Sequence, residues 1–302
     1  MAMKNWLSRR SQDEPARADG SGPVLIHALD GFLGAGSAAR MAAAQLSTGE
    51  GEVVHEFDLD EMFDYRARRP MISFRENRYD DYDDPTLKIV LEHDLNGEPY
   101  LLLAGPEPDF LWERFIGEVH EVIQEHDVPL SIGLGAVPMG VPHTRPAMIT
   151  AHGTRPELVD RQNMWSAQVT VPSSAQSLLE YRLGQWGHDA AGYVVHVPHY
   201  LAQIDYPPAA LALIDALVDR TGLSIDVDSL RARQGDALKE IEDQIAEQGG
   251  TGLLSGLEEQ YDAFTRGAAQ SLLASDEDLP SGDELADQFE QFLARQRKND
   301  QN

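Results

Sequence analysis

A glycine-rich turn between an apolar segment and an alanine-rich segment is the first place where the backbone of this chain could bind a ligand. The apolar segment is residues 24–29, and the turn after it contains Asp30, Gly31, Gly34 and Gly36. Glycines let the backbone approach another group closely, and the N–H groups that begin a helix bind anions. The spacing G-x-x-G-x-G is neither the dinucleotide motif nor the P-loop, and no lysine follows. Two interpretations remain, a phosphate or anion cradle and a tight packing turn, and the mismatch favours packing.

A second group with binding chemistry is the charged segment 58–69, DLDEMFDYRARR. Arg66 and Arg69 could hold a carboxylate or a phosphate in a fork of guanidinium donors. Arg145, in a loop stiffened by prolines, is a further candidate for the same pocket. The alternative is an ion-pair network, which we favour because charges packed this densely usually satisfy one another.

Two histidines are weak candidates for a metal site. His196 and His199 stand three residues apart after a predicted strand, but no third ligand has a suitable spacing, and catalytic zinc normally takes three protein ligands. The chain has no cysteine and no G-x-S-x-G motif. No local signature of a nucleophile surrounds Ser131, Ser166, Ser173 or Ser174. We therefore expect no catalytic residue, no metal and no cofactor, and lean against an enzyme.

Composition restricts the class of partner. The 302 residues carry a formal net charge of −27, which repels nucleic acid and anionic membrane surfaces. No apolar run approaches the ~18 residues of a membrane-spanning helix, and the polar N-terminus lacks the apolar core of a signal peptide. We expect a cytoplasmic protein that binds neither nucleic acid nor membrane.

Hydrophobic periodicity predicts the elements that would position these residues. Short apolar strands alternate with helices, and Asn96-Gly97 predicts a hairpin, so the sheet should be mixed. Two helices are predicted to begin at Ser37 and at a Ser173–Gln176 capping box. Residues 71–85 are predicted to form a loop. Strands are predicted at 24–29, 52–57, 86–95, 99–104, 128–137, 147–152, 167–171 and 192–197. The fold class is therefore α/β, a mixed central sheet with helices on both faces, followed by a C-terminal helical extension.

The domain organisation follows from changes in character along the chain. We expect a disordered lead-in at 1–22, an α/β core at 23–222 and a helical extension at 223–302. Within the extension, the hydrophobic pattern of residues 228–248 predicts one amphipathic helix, and a last helix is predicted to start after Ser281. A helix between them would turn inward the stripe Leu253, Leu257, Tyr261 and Phe264.

Five blocks, in this order, resemble the proteasome assembly chaperone two family, in particular bacterial, actinobacterial-type members with a C-terminal helical extension. The blocks are DGF at 30–32 with AG at 35–36, FDLDE at 57–61 with DYR at 64–66 and RP at 69–70, GPEPD at 105–109 with Trp112, VPHTRP at 141–146, and HVPHY at 196–200. The resemblance implies a phosphorylase/hydrolase-like α/β fold. It also implies protein binding, since the eukaryotic relatives hold proteasome α-subunits, partly through a C-terminal hydrophobic–Tyr–any tail. This chain ends with residues 298–302, KNDQN, which do not form that tail.

Three functional hypotheses follow. The preferred one is a non-enzymatic, chaperone-like protein that binds a protein partner and forms a homo-oligomer, with a trimer as the first expectation because related phosphorylase-like folds often trimerise. The second is a hydrolase or phosphorylase acting on a small anionic or nucleoside-like substrate. The third is an assembly protein whose C-terminal helices build a ring.

Overall fold

The computed structural model describes residues 22–159, 168–247 and 251–271. Four predictions fall outside these ranges: the N-terminal lead-in, most of the Gly249–Gly252 break, Ala167, and the last helix after Ser281. Within the described residues, no helix combines the length and the apolar character needed to cross a membrane.

The described residues form nine strands and seven α-helices. The strands are β1 (Val24–Asp30), β2 (Glu52–Glu56), β3 (Ser73–Arg75), β4 (Arg78–Asp80), β5 (Lys88–His93), β6 (Pro99–Pro106), β7 (Ser131–Met139), β8 (Ile149–Gly153) and β9 (Ala190–Pro198). The helices are α1 (Ala38–Leu46), α2 (Leu59–Met62), α3 (Trp112–Glu125), α4 (Ala175–Gln185), α5 (Pro207–Thr221), α6 (Asp228–Glu247) and α7 (Thr251–Ser271).

Seven strands form one mixed sheet in the order β2-β5-β6-β1-β7-β9-β8. The four central strands, β6, β1, β7 and β9, are parallel to one another, whereas β5 and β8 run antiparallel to their central neighbours. The tight turn at Asn96-Gly97 joins β5 to β6 as an antiparallel hairpin. These features confirm the predicted α/β class with a mixed sheet.

Alternating side chains of the central strands build a core on each face of the sheet. Ile26 and Leu102 lie among the buried side chains of α1 and α5, whereas Leu25 and Leu101 lie among those of α3 and α4. Because both faces are covered by helices, the central strands are almost wholly apolar, as is usual for parallel strands.

The C-terminal helices extend the first of these cores. Leu230 and Ile241 of α6 are buried in the core cluster that contains α5. On α7, Leu257 is buried, but Phe264 is 42% exposed. The prediction that Phe264 faces inward is therefore wrong: α7 contacts the body through Glu258, Tyr261 and Asp262, and the Phe264 side chain remains largely in solvent.

Three local predictions also need correction. Residues 71–85 contain the antiparallel hairpin β3–β4, whose three residue pairs are too short to give a periodic signal. The capping box of α4 is Ser174 with Ser177, one residue later than predicted, and Gln176 is buried instead. Ser37 stands at the cap position of α1 but has φ 50°, and its side chain makes no capping bond.

A strand at 167–171 is also not found: residues 168–171 carry no strand.

Candidate functional site

The functional candidates lie at one edge of the sheet, where the parallel strands end. The turn after β1, the turn after β6 and the segment after β9 all leave this carboxyl edge, which is the usual ligand-binding side of an open α/β sheet. Strand β2 is separated from β1 by β5 and β6, but it runs in the same direction as β6. Segment 58–69 therefore reaches the carboxyl edge without β1 and β2 being neighbours.

An open cleft of about 310 Å³ lies at the centre of this edge. It is bounded by the glycine turn, by the segment after β6 and by the start of α4. Its lining residues are Gly31, Phe32, Arg68, Glu107, Pro108, Asp109, Trp112 and Ser173. We call this feature the edge cleft.

Glu107 closes the floor of the edge cleft. One carboxylate oxygen accepts a hydrogen bond from the Phe32 N–H at 2.7 Å, and the other accepts one from the Ala175 N–H at 2.6 Å. Ala175 is the first residue of α4, where backbone N–H groups lack intrahelical partners and attract negative charge. The glycine turn therefore does bind an anion in this structure, and that anion is the side chain of Glu107.

The glycines of the turn are required by close packing. A Cβ on Gly31 would lie 2.0 Å from Oε2 of Glu107. Gly36 has φ 62°, and its N–H donates to the Ala202 carbonyl at 2.8 Å. A Cβ on Gly34 would lie 2.8 Å from the Gly31 carbonyl oxygen. Asp30 is exposed and uses its backbone carbonyl to accept from the Glu107 N–H.

The arginine that reaches the edge cleft is Arg68. Its Nη2 donates to the Glu107 carbonyl at 2.5 Å and to Asp109 Oδ2 at 2.6 Å, and its guanidinium lies 4.4 Å from the centre of the Phe63 ring. Arg66 and Arg69, the candidates from the sequence, are exposed, and neither side chain makes an ion pair within the described residues. The sequence shows three arginines within four positions, and only the turn after α2 determines which one points inward.

Arg145 does not line the edge cleft, because α7 engages it. Nε and Nη2 donate to the two carboxylate oxygens of Asp262, each at 2.8 Å, and Nη1 donates to Glu258 at 3.2 Å. Tyr261 donates its hydroxyl hydrogen to the Pro146 carbonyl at 3.0 Å. The hydrogen bond from Arg145 lowers the pKa of Asp262. The VPHTRP block therefore holds the C-terminal helix and is not positioned to bind a free anion.

A second, acidic cleft of about 330 Å³ lies beside the first, along segment 58–69. Its walls carry Asp58, Asp60, Asp84 and the ring of Tyr65. Partial desolvation and then the negative charge of the nearby carboxylates, Asp60 first, raise the pKa of the Tyr65 hydroxyl. This part of the edge is therefore strongly negative.

The two histidine candidates do not converge. His196 is buried and its Nε2 lies 2.9 Å from the Thr150 hydroxyl, and burial lowers its pKa. His199 is exposed, with its ring 5.4 Å from that of Tyr200. Across the described residues, no three His, Asp or Glu side chains are grouped so as to hold a metal ion.

A polar cluster that sequence reasoning missed lies inside the α3/α4 face of the sheet. His27, Gly133, Gly192 and His152 are register partners on four adjacent strands, and Glu180 of α4 lies over the two glycines. Nε2 of His27 is 4.0 Å from Glu180, and Nε2 of His152 is hydrogen-bonded to it. A Cβ on Gly133 would lie 2.3 Å from Glu180 Oε1, so the missing side chains make room for this carboxylate.

The two histidines of this cluster respond differently to it. Burial lowers the pKa of His27, and the charge of Glu180 offsets this only in part. Burial also acts to lower the pKa of His152, but the charge of Glu180 and the hydrogen bond to it outweigh that effect and raise the pKa. The only advance signal of the cluster is a histidine within an otherwise apolar buried strand.

One serine–histidine contact exists, but it lies at the opposite edge of the sheet. The Ser131 hydroxyl is 3.0 Å from Nε2 of His188. Ser131 is completely buried at the start of β7, and the neighbouring Asp189 is paired with Arg155. A substrate could not reach this hydroxyl in the present conformation.

Fold and site define the class: an α/β protein with a parallel-centred mixed sheet, whose carboxyl edge carries an aromatic and acidic cleft and no assembled catalytic group in the described residues. A sequence model of the PAC2 family matches residues 28–248. This chain therefore belongs to the PAC2 family, as the five blocks predicted.

Solved structures agree with this assignment. A Mycobacterium tuberculosis protein of unknown function, Rv2714, is 44% identical, with a TM-score of 0.80 over 84% of this chain and 89% of its own. A Corynebacterium glutamicum protein of unknown function is 34% identical, with a TM-score of 0.77 over 82% of this chain and 93% of its own. The Mycobacterium tuberculosis proteasome-assembly chaperone homologue Rv2125 is 25% identical, with a TM-score of 0.68 over 74% of this chain and 96% of its own. No curated protein sequence matches this one significantly.

Proposed function

We propose that this protein is a non-enzymatic, chaperone-like binding protein that acts in the cytoplasm as a homo-oligomer, with a trimer as the first expectation. In this proposal the edge cleft and its rim receive a segment of a protein partner. The likeness to a proteasome-assembly chaperone homologue supports this class of function, and proteasome α-subunits are the first partners to test.

The observation that carries the proposal is the distribution of exposed apolar side chains. Of the sixteen large hydrophobic side chains that are exposed in the described residues, eight belong to two groups at the carboxyl edge, three beside the edge cleft and five on and around the β3–β4 hairpin. The first, which we call the cleft rim, comprises Phe32, Phe110 and Leu111 and surrounds the edge cleft. Exposed apolar patches with a polar border are typical of protein-interaction sites.

The charges of the edge favour a partner segment that carries basic groups beside apolar ones. Arg68 is already paired with Asp109, and the Phe32 N–H is already bonded to Glu107. Nη2 of Arg68 and this backbone N–H are thus engaged within the protein, whereas Nε of Arg68 has no hydrogen-bond partner in the described residues. The remaining carboxylates of the edge and the net charge of −27 attract cationic side chains.

The test is capture of partners from the native cells after cross-linking, with the Phe32→Ser/Phe110→Ser variant beside the wild type. The matched control is Val53→Ser/Leu95→Ser, which removes two exposed apolar side chains at the start of β2 and in the β5–β6 turn, at the opposite edge of the sheet. We expect specific proteins to be enriched by the wild type and the control, and at least fivefold less by the cleft variant. Equal enrichment by all three would refute the cleft as the binding site, and recovery of a small molecule with no protein partner would refute the function.

The alternative, a hydrolase or phosphorylase acting on a small anionic or nucleoside-like substrate, has less support from the geometry because the cleft cation and the turn N–H are engaged. It is tested by thermal unfolding with phosphate, nucleosides and nucleotides. A rise in the unfolding temperature with any of them, lost in Arg68→Ala, would favour this alternative.

The division of the chain at residues 22 and 222 is also a proposal. Limited proteolysis should cut first before Gly22, and then within the extension at 223–302, leaving the core at 23–222.

A further inference from the structure

The polar cluster inside the α3/α4 face of the sheet has no part in the binding site proposed above. His27 of β1 is completely buried, and within the described residues neither of its ring nitrogens has a hydrogen-bond partner. A buried polar group without a partner is costly, and an apolar side chain at this strand position would avoid the cost. Packing alone therefore does not explain an imidazole here.

Only one anionic group faces His27 among the described residues. Its register partners on the neighbouring strands β6 and β7 are Leu103 and Gly133, and the buried residues of α3 are all apolar. The charged groups that act on it are the carboxylate of Glu180, on α4, and the imidazole of His152, on β8. The charge state of His27 is therefore controlled by α4 and β8.

Glu180 is already engaged on its other side. Its Oε2 is hydrogen-bonded to Nε2 of His152, whereas its Oε1 lies 4.0 Å from Nε2 of His27, too far for a hydrogen bond. A protonated His27 would carry a positive charge and two N–H donors. These donors find acceptors only if water enters or if Glu180 is repositioned. Because Glu180 is buried between α4 and the sheet, either change requires α4 to move.

Helix α4 connects this cluster to the edge cleft. Gln176 and Glu180 are four residues apart and lie on the same face of the helix. The Gln176 side chain accepts from the Leu29 N–H at 3.4 Å and donates to the Leu134 carbonyl at 3.3 Å. The first N–H of α4 donates to Glu107, on the floor of the cleft. A movement of α4 therefore loosens the bonds that hold its N-terminus to the sheet and to the cleft.

We infer that the cluster of His27, Glu180 and His152 is a pH-dependent switch of the edge cleft. The closed form, with α4 against the sheet, accommodates only the neutral imidazole of His27. Protonation of His27 favours an open form, in which α4 has moved off the sheet, water reaches the imidazolium, and the contact between Glu107 and the turn that carries Phe32 is loosened. The inference concerns the shape of the cleft and does not depend on which partner the cleft binds.

The direction of the switch follows from burial. Burial lowers the pKa of His27 in the closed form, the charge of Glu180 offsets this only in part, and the charge of His152 adds to it. In the open form the imidazole is hydrated, and its pKa returns to about 6.5. The open form is therefore favoured as the pH falls below about 6.5, by at most about tenfold per pH unit because one proton is bound.

The experiment is hydrogen–deuterium exchange of the full-length protein between about pH 5 and pH 7.5, corrected for the intrinsic exchange rate at each pH. Peptides from α4 and from residues 29–33 report on the switch, and peptides from β7 report on global unfolding. His27→Leu removes the titrating group, and His27→Gln replaces it by a polar group that does not titrate. The matched control is His196→Leu, at another buried histidine whose pKa burial lowers but which contacts Thr150 instead. Circular dichroism confirms that each variant is folded.

In the wild type and in His196→Leu, we expect exchange in α4 and in residues 29–33 to rise about threefold to tenfold for each pH unit below about 6.5, while β7 stays protected. The rise should be absent from both His27 variants. Wild-type exchange that does not change with pH, His27 variants that keep the rise, or its loss in His196→Leu would overturn the inference. Loss of protection in α4 and β7 together would also overturn it, because the whole protein would then be unfolding in acid.

Discussion

Replacing Glu107 by alanine tests whether the glycine turn and α4 are held together by an internal anion. The Glu107 side chain is only 8% exposed, and its two oxygens accept from Phe32 and Ala175. The substitution leaves both backbone N–H groups in a poorly hydrated site without an acceptor. It also removes the negative charge from the N-terminus of α4, an 11-residue helix.

The expected loss follows from these two bonds. A hydrogen bond to a charged group contributes about 1.5–3 kcal/mol net, so two sum to about 3–6 kcal/mol. Water entering the space left by the carboxylate restores part of this. We therefore expect Glu107→Ala to lower the free energy of unfolding by about 3 kcal/mol. Glu107→Gln keeps one acceptor but turns an amide N–H₂ toward the other donor, so we expect about half the loss.

The assay is equilibrium unfolding in urea, followed by circular dichroism and by tryptophan fluorescence. Trp112 lines the same cleft and donates from its ring N–H to the Pro108 carbonyl at 2.6 Å, so its fluorescence reports on this region. A stability change appears as a shift of the midpoint at constant slope.

The matched control is Glu121→Ala, at an exposed position of α3, which should change stability by less than about 0.5 kcal/mol. A loss below about 1 kcal/mol in Glu107→Ala, or a Glu107→Gln variant as stable as the wild type, would refute the internal-anion account.

Three further outcomes are expected. Gly133→Ala places a Cβ 2.3 Å from Glu180 Oε1 and should cost about 2 kcal/mol in urea unfolding; wild-type stability would contradict the geometry. Arg145→Ala removes the ion pairs to Asp262 and Glu258, so amides of α7 should exchange with deuterium faster while β7 stays protected; unchanged exchange would contradict it. Burial lowers the pKa of His27, so below about pH 6.5 the unfolded chain protonates this imidazole more readily than the folded protein does. The free energy of unfolding therefore decreases as the pH is lowered. His27→Leu should weaken that fall by up to about 1.4 kcal/mol per pH unit, measured by unfolding at pH 5 to 7, and an identical pH profile would refute it.

Local patterns in the sequence were sufficient for the architecture. The apolar strand at 24–29, the Asn96-Gly97 hairpin and the helix from Pro207 to the Gly222 cap all lie where periodicity and turn chemistry placed them. These signals are short-range, since each depends on residues within one element. The five blocks, taken in their order along the chain, also indicated the family.

The identity of the site residues depended on contacts that local patterns do not contain. Arg68 and not Arg66 or Arg69 faces the cleft, because Asp109 and the Glu107 carbonyl, some 40 residues away, receive it. The contact from Arg145 to Asp262 spans 117 residues. Which charged groups pair in this way depends on which distant segments the fold brings into contact.

The glycine turn shows the same division. Its glycines and its position after a buried strand determined that a close approach takes place there, because no other residue tolerates that geometry. Which group approaches was decided by strand order, since β6 lies beside β1 and delivers Glu107 to the Phe32 N–H. The sequence determined the kind of contact, and the tertiary structure, by bringing distant segments to one sheet edge, determined its partner.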